Sequence, residues 1–282
     1  MDDASLRDVR GPEPVIASGD SFDRLVEIAR HRRAIVALTG AGISTESGIP
    51  DYRGPQGVWM TGKLPRLHDF ATNPETRRAY WESWRERYPA SRETRPNEGH
   101  RALVALERAG LLLAVVTQNI DGLHIEAGQD PARVMELHGT RRQLRCLANG
   151  HEWDADLIYE VIRDTDTEPV CGICGSPLRS STVLFGEPLP VATLRRATEV
   201  ARACDLLLVV GSSLVVNPAA RLPRLARQSG AATAILNREP TLLDDTFDVV
   251  VHAEAGPTLS RLIDALSVAG LPETTSQSGN VN

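Results

Sequence analysis

The chain has 282 residues, 41% hydrophobic and 24% charged, a balance that suits one or two globular domains and excludes a disordered or fibrous polypeptide. A net charge of −6 offers no basic stripe for phosphates, so direct nucleic-acid binding is not expected. Apolar runs such as 111–116 and 206–210 fall far short of the roughly 20 residues of a membrane helix. The polar start MDDASLRDVRGPEP has no signal-peptide core, so a cytoplasmic location without membrane contact is the expectation.

In chain order, residues 1–20 and 271–282 lack apolar periodicity and read as tails. Phe22, Leu25 and Ile28 recur at helical spacing behind Ser21, and 34–38 is a short apolar strand ending at Gly40. Helices near 99–108, 192–203, 218–228 and 257–268 then alternate with strands at 112–117, 206–210 and 232–236. Such alternation predicts an open, parallel α/β sheet. Two segments break the rhythm: 55–95, rich in Trp, Tyr and Arg, and 141–182, which holds three of the four cysteines. Both read as insertions forming a smaller lobe, a helical module and a cysteine-bearing one, which leaves 21–54, 96–140 and 183–270 to the sheet domain. A cleft between the lobes would lie at the carboxyl ends of the strands, where open α/β sheets bind ligands.

Gly40-Ala41-Gly42 follows a strand, so its backbone could approach a pyrophosphate without interference from Cβ atoms. The ordinary dinucleotide fingerprint wants a third glycine where Thr45 stands, and a turn with no ligand fits equally well. Gln118, Asn119 and Asp121 emerge just past a predicted strand, where Asn and Asp can hold an amide and a ribose hydroxyl, or simply make a turn and a helix cap. Gly211 and Ser212 end another strand and would reach the same edge as Gly40. Asn237 and Glu239 lie just beyond the strand ending at Leu236, where loop roles stay open. Val183 and Phe185 alternate as core residues of a strand do. His138 stands at a strand end before Gly139, and an ordinary imidazole suits proton abstraction near neutrality. Composition does not single it out among seven histidines. Cys171-Gly-Ile-Cys174 reads as metal or redox chemistry, and Cys204 as a small buried residue.

The longer runs GAGISTESGIPDYRG (40–54), TQNIDGLH (117–124), ELHG (136–139), FGE (185–187) and GSSLVVNP (211–218), with Asn237, occur in one order along the chain. Together they resemble the sirtuin family over roughly residues 20–270. The resemblance implies a Rossmann-like parallel sheet with a smaller inserted domain, made of a zinc-ribbon-like and a helical module. It also implies NAD consumed as co-substrate, acylated lysine proteins or peptides as partners, and action as a monomer. Gly40, Ala41, Gly42, Glu46, Tyr52 and Arg53 would line the NAD loop, the Tyr52 variant resembling the class II branch. Gln118, Asn119, Ile120 and Asp121, with Ile49, would line the nicotinamide pocket. Gly211, Ser212, Ser213, Asn237 and Glu239 would complete the cofactor site, and Val183, Phe185 and Gly186 would receive the peptide as an added strand. The implied reaction begins with attack of the acyl-lysine oxygen on ribose C1′. His138 is the implied base, drawing a proton through the ribose hydroxyls, with Asn119 as its catalytic companion, so that free lysine and an O-acyl-ADP-ribose result. A mono-ADP-ribosyltransferase or NAD hydrolase on the same site, and a weakly catalytic NAD-sensing module, are the alternatives.

The chain departs from the implied pattern in two places. The ribbon wants two C-x2-C pairs, but Asn149 stands where the partner of Cys146 should be. His151 could complete a Cys146, Cys171, Cys174, His151 zinc site; solvent-completed and metal-free forms remain open. In place of the Tyr-x-x-Arg pair of desuccinylase-like relatives the chain offers Glu82-Ser-Trp-Arg85, which reads best as a solvated helix face.

Overall fold

A computed structural model describes residues 19–51 and 65–268. The helices are α1 (Gly19–Arg30), α2 (Leu67–Thr72), α3 (Pro74–Glu93), α4 (Glu98–Arg108), α5 (Leu123–Glu126), α6 (Ala155–Ile162), α7 (Val191–Ala203), α8 (Leu222–Gln228) and α9 (Ala255–Val268). The strands are β1 (Ile35–Thr39), β2 (Leu112–Thr117), β3 (Val134–Glu136), β4 (Gly139–Cys146), β5 (Glu152–Asp154), β6 (Leu178–Thr182), β7 (Leu206–Val210), β8 (Ala232–Leu236) and β9 (Val249–Val251).

The larger sheet is parallel, in the order β3-β2-β1-β7-β8-β9. Numbered within that sheet this is 3-2-1-4-5-6, the doubly wound dinucleotide-binding order. Its central strands, IVALT and LLLVV, are buried along their whole length because helices cover both faces. Period-two alternation divides them between two cores. Ile35 and Ala37 pack with Phe22, Leu103 and Leu259 from α1, α4 and α9, while Val36 and Leu38 pack with Ala197, Ala201 and Leu222 from α7 and α8.

After β3 the chain leaves this sheet and builds an antiparallel one, β5-β4-β6. Its apolar face carries Leu144 and Leu178, packed against Phe70, Tyr80, Trp81, Trp84 and Tyr88 of the helical module. Trp84 and Tyr88 stack at 4.2 Å, and Phe70, Tyr80 and Trp81 meet edge to face. The aromatic wealth of the 55–95 segment is thus the glue between the two inserted modules. The chain then returns as β7 on the far side of β1, so the winding direction reverses between β1 and β7.

The observed elements depart from expectation chiefly at their ends. The first helix includes Gly19 and Asp20, assigned from sequence to the tail, and the ribbon sheet starts at Gly139. β9 has three residues, too few for a periodic signal. The strand expected over Val183 and Phe185 is a correction: β6 stops at Thr182. The chain bends because Gly186 adopts φ +81° and the Glu187 N–H donates to the Leu184 carbonyl at 3.0 Å. Tyr52 and Arg53 lie outside the described residues.

Candidate active site and metal cluster

The winding reversal places the loops after β1 and β7 against each other, and they interlock backbone to backbone. The Gly40 N–H donates to Val210 O at 3.0 Å and the Gly42 N–H to Gly211 O at 2.8 Å. A Cβ on Gly42 would lie 2.6 Å from Gly211 Cα, and one on Gly211 2.4 Å from Ile43 N. Gly211 also holds φ +62°. The glycines are therefore required by each other as well as by any ligand, a reason that spacing alone does not reveal.

Polar side chains from the β2 loop cross this junction. Asn119 Nδ2 donates to Gly40 O at 3.0 Å and to Ser44 Oγ at 3.1 Å, and Ser44 Oγ donates to Asp121 Oδ2 at 2.7 Å. Asp121 Oδ1 accepts from Leu123 N at 2.9 Å, so one carboxylate makes both an Asx-type turn ahead of α5 and the bond to Ser44. Gln118 Nε2 donates to Ser212 Oγ at 2.8 Å, joining the β2 loop to the β7 loop. Asn119, Asp121, Ser44 and Ser212 are all buried, and Ile49 and Ile120 are half-buried beside them.

His138 follows β3 on the same edge. Its Nδ1 lies 2.7 Å from the Gln118 carbonyl, which can only accept, so Nδ1 carries the proton and Nε2 keeps a lone pair. Burial lowers its pKa, opposed by that hydrogen bond. The shift is toward the neutral ring, the form a proton acceptor needs.

The remaining candidates sit further out. Asn237 Nδ2 donates to Glu239 O at 2.6 Å, forming a turn at the end of β8, with Ser213 and Glu239 exposed. Ala41 is half-buried in the glycine loop. Glu46 has a partner the resemblance does not imply: its carboxylate accepts from Gly256 N at 2.8 Å in the first turn of α9. Burial, ahead of repulsion from Glu254 and Glu98, raises its pKa. Val183 N donates to His138 O at 2.8 Å, Phe185 O accepts from Leu67 N at 3.1 Å, and Gly186 forms the bend between lobes.

Sequence reasoning missed the support behind this edge. Thr39 Oγ1 and His124 Nε2 lie 2.9 Å apart, and the buried His124 ring is 4.9 Å from that of His100. Asn97, which caps α4, also donates to Ile43 O at 2.7 Å, fixing the glycine loop from below. The Asn97-x-x-His100 spacing is the available sequence signal, a capping box with histidine in the third position.

In the smaller lobe, Cys146, His151, Cys171 and Cys174 bring their ligand atoms within 4.8 Å of one another. His151 Nδ1 is 3.5 Å from Cys146 Sγ and 3.4 Å from Cys171 Sγ, and Cys174 Sγ is 3.8 Å from Cys146 Sγ. Bonds of about 2.3 Å to sulfur and about 2.0 Å to nitrogen give a zinc tetrahedron edges of about 3.5 to 3.8 Å, so these separations fit the ion. Asn149 is exposed; its backbone N–H, like that of His151, donates to Cys146 Sγ at 3.3 Å. The knuckle turns at Gly150, φ +67°, and delivers His151 to the corner a second cysteine would occupy. Arg85, which stands where desuccinylase-like relatives carry the Arg of their Tyr-x-x-Arg pair, donates to Thr167 O at 3.1 Å.

A Rossmann-like sheet with polar loops at its switch point, joined to a Cys3His ribbon, defines a dinucleotide-binding α/β protein with a structural-metal lobe. The Sir2 family profile matches residues 40–218. A Bradyrhizobium diazoefficiens protein named NAD-dependent protein deacetylase 1 is 43% identical over 245 residues, 86% of this chain and 94% of its own. A solved structure described as "Structural Basis for the Mechanism and Regulation of Sir2 Enzymes" superposes with TM-score 0.80 and 41% identity, covering 90% of this chain and 100% of that one. Another, "Sir2-p53 peptide-NAD+", gives 0.77 and 34%, covering 88% and 99%. The chain belongs to the Sir2 family, the sirtuins.

Proposed function

We propose that the protein is an NAD-dependent protein lysine deacylase, moving the acyl group of an acyl-lysine onto ADP-ribose and releasing nicotinamide. The observation that carries this reading is the His138 ring with its Nδ1 bonded to Gln118 O at 2.7 Å, which leaves Nε2 to face a substrate, on the same sheet edge as the interlocked glycine loops. A relative named as a deacetylase and another solved with p53 peptide and NAD+ support it. NAD supplies an electrophilic ribose carbon and the hydroxyl whose proton His138 accepts. Gly40, Ala41, Gly42, Gly211, Ser212 and Ser213 are the proposed dinucleotide contacts. Asn237 and Glu239 serve the adenosine ribose, and Gln118, Asn119, Ile120 and Asp121 the nicotinamide. Tyr52 and Arg53 lie outside the described residues, and Glu46 acts through α9. Val183, Phe185 and Gly186 receive the peptide, and Cys146, Cys171, Cys174 and His151 hold a structural zinc.

A monomer is proposed, and the negative net charge favours protein over nucleic-acid partners. Free thiols at a metal cluster suit the reducing cytoplasm. Among the described residues no helix is long and apolar enough to cross a membrane.

Incubation with NAD and acetylated, succinylated or longer-acyl peptides tests the proposal. Nicotinamide and O-acyl-ADP-ribose should appear in step with free lysine, with acetyl preferred to succinyl because Arg85 is committed elsewhere. Nicotinamide release without peptide would indicate a hydrolase, a labelled protein product an ADP-ribosyltransferase, and NAD binding without turnover a sensor.

A further inference from the structure

The bend at 183–187 is held by a buried charge cluster that the reaction does not use. Glu187 Oε1 accepts from Arg179 Nη2 at 2.6 Å and also from Arg145 Nη2, while Oε2 accepts from Leu184 N at 3.1 Å. Arg179 turns its other nitrogen to Thr182 O at 2.7 Å, closing a ring of bonds around the exit of β6. The Arg179 side chain is 3% exposed and that of Glu187 12%. Burial works against the Arg179 charge, so the pair is sustained only by mutual neutralisation and these backbone partners.

The two arginines come from the ribbon sheet. Arg145 and Arg179 are register partners on β4 and β6, and each adjoins the Cys146–Leu178 pair at the metal-cluster end of those strands. Position within the lobe therefore passes from the metal cluster through Arg145 and Arg179 to one carboxylate, and from it to Leu184 N, in the centre of the proposed peptide stretch.

We propose that Glu187, clasped by Arg145 and Arg179, is a positioning residue that sets the peptide-receiving bend in register with the ribbon, so that acyl-peptide affinity depends on it while NAD affinity does not. The proposal rests on the reading of 183–186 as the peptide site. A clasp acting on binding alone raises KM and leaves kcat in place.

Steady-state kinetics on the zinc-loaded full chain test it, with an acetylated peptide and saturating NAD. Glu187→Gln should raise the peptide KM roughly tenfold or more, with kcat within about twofold, and with NAD Kd and zinc content unchanged. Arg145→Gln, at the more exposed partner (29%), should follow in the same direction if Glu187→Gln fails to fold, and Arg145→Lys should recover part of the loss. An unchanged KM in both variants overturns the clasp, as does a parallel loss of NAD binding and zinc, which would mark it as general scaffolding. Phe185→Ala separates the two readings: raised KM there with unchanged KM in the clasp variants sinks only the clasp, whereas unchanged KM in all of them sinks the peptide site.

Discussion

At the scale of single residues, His138 is the proposed base because its surroundings fix its tautomer and lower its pKa. A carbonyl at 2.7 Å on Nδ1 leaves Nε2 as the nitrogen that can accept a proton, and burial lowers the ring's pKa. His138→Ala should lower kcat by about 10²-fold to 10⁴-fold, the usual span of a general base, with the NAD Kd unchanged by calorimetry. A depressed pKa moves the acid limb down: kcat/KM should hold as pH falls past the ordinary histidine value of about 6.5 and decline only below it. A limb at or above that value would show the ring is not the titrating base. Asn119 is bound to Gly40 O and Ser44 Oγ, so Asn119→Ala removes two ties across the loop junction. That variant should weaken NAD binding as well as slow turnover. Ser44 itself was invisible as a site residue in the sequence, since a serine in a glycine loop has a turn as its ordinary role.

At the scale of elements, the two glycine loops behave as one object. Gly42→Ala would push a methyl within 2.6 Å of the Gly211 backbone, and backbone cannot yield as a flexible side chain can. The expected cost is about 1 to 3 kcal/mol, read as a lower denaturant midpoint, together with loss of NAD affinity. The strand-loop-helix rhythm that located these loops was legible because central parallel strands are unbroken apolar runs. Their mutual contact was not, since it depends on which strands become neighbours after a long excursion. The metal corner shows the same division. A missing cysteine at Asn149 is plain in the sequence, and the spacing offers His151 in its place; the Gly150 turn that brings its ring to the three sulfurs is not legible there. His151→Ala should reduce bound zinc from about one per chain and lower the thermal midpoint, and His151→Cys should restore both, because metal binding is part of the folding free energy.

For the whole molecule, buried ionisable groups set how stability follows pH. Burial lowers His100 to about 4 and His124 to about 3, below the unfolded value of about 6.5. Their contribution is complete above pH 6.5 and is lost as the medium is acidified toward those folded values. Burial, with repulsion from Asp121, raises Glu136 to about 7, so its effect has the opposite sign, stabilising as pH falls from 7 toward the ordinary carboxyl range. Between pH 5 and 6 the lowered histidines His100, His124 and His138 outweigh the raised carboxyls Glu136 and Glu46, so stability falls on acidification. Urea midpoints across that interval check the slope, and it should flatten in His124→Asn. None of this was visible before folding, because His100 and His124 lie far apart in the chain and only the packed core makes them neighbours.

The main chain of His138 does a second job. Its carbonyl receives the Val183 N–H at 2.8 Å, while its ring leans on Gln118. The proposed proton acceptor is thus also the rivet at which the inserted lobe is fastened back to the sheet. The stretch proposed to receive the peptide is therefore moored to the main chain of the residue whose ring is the proposed base.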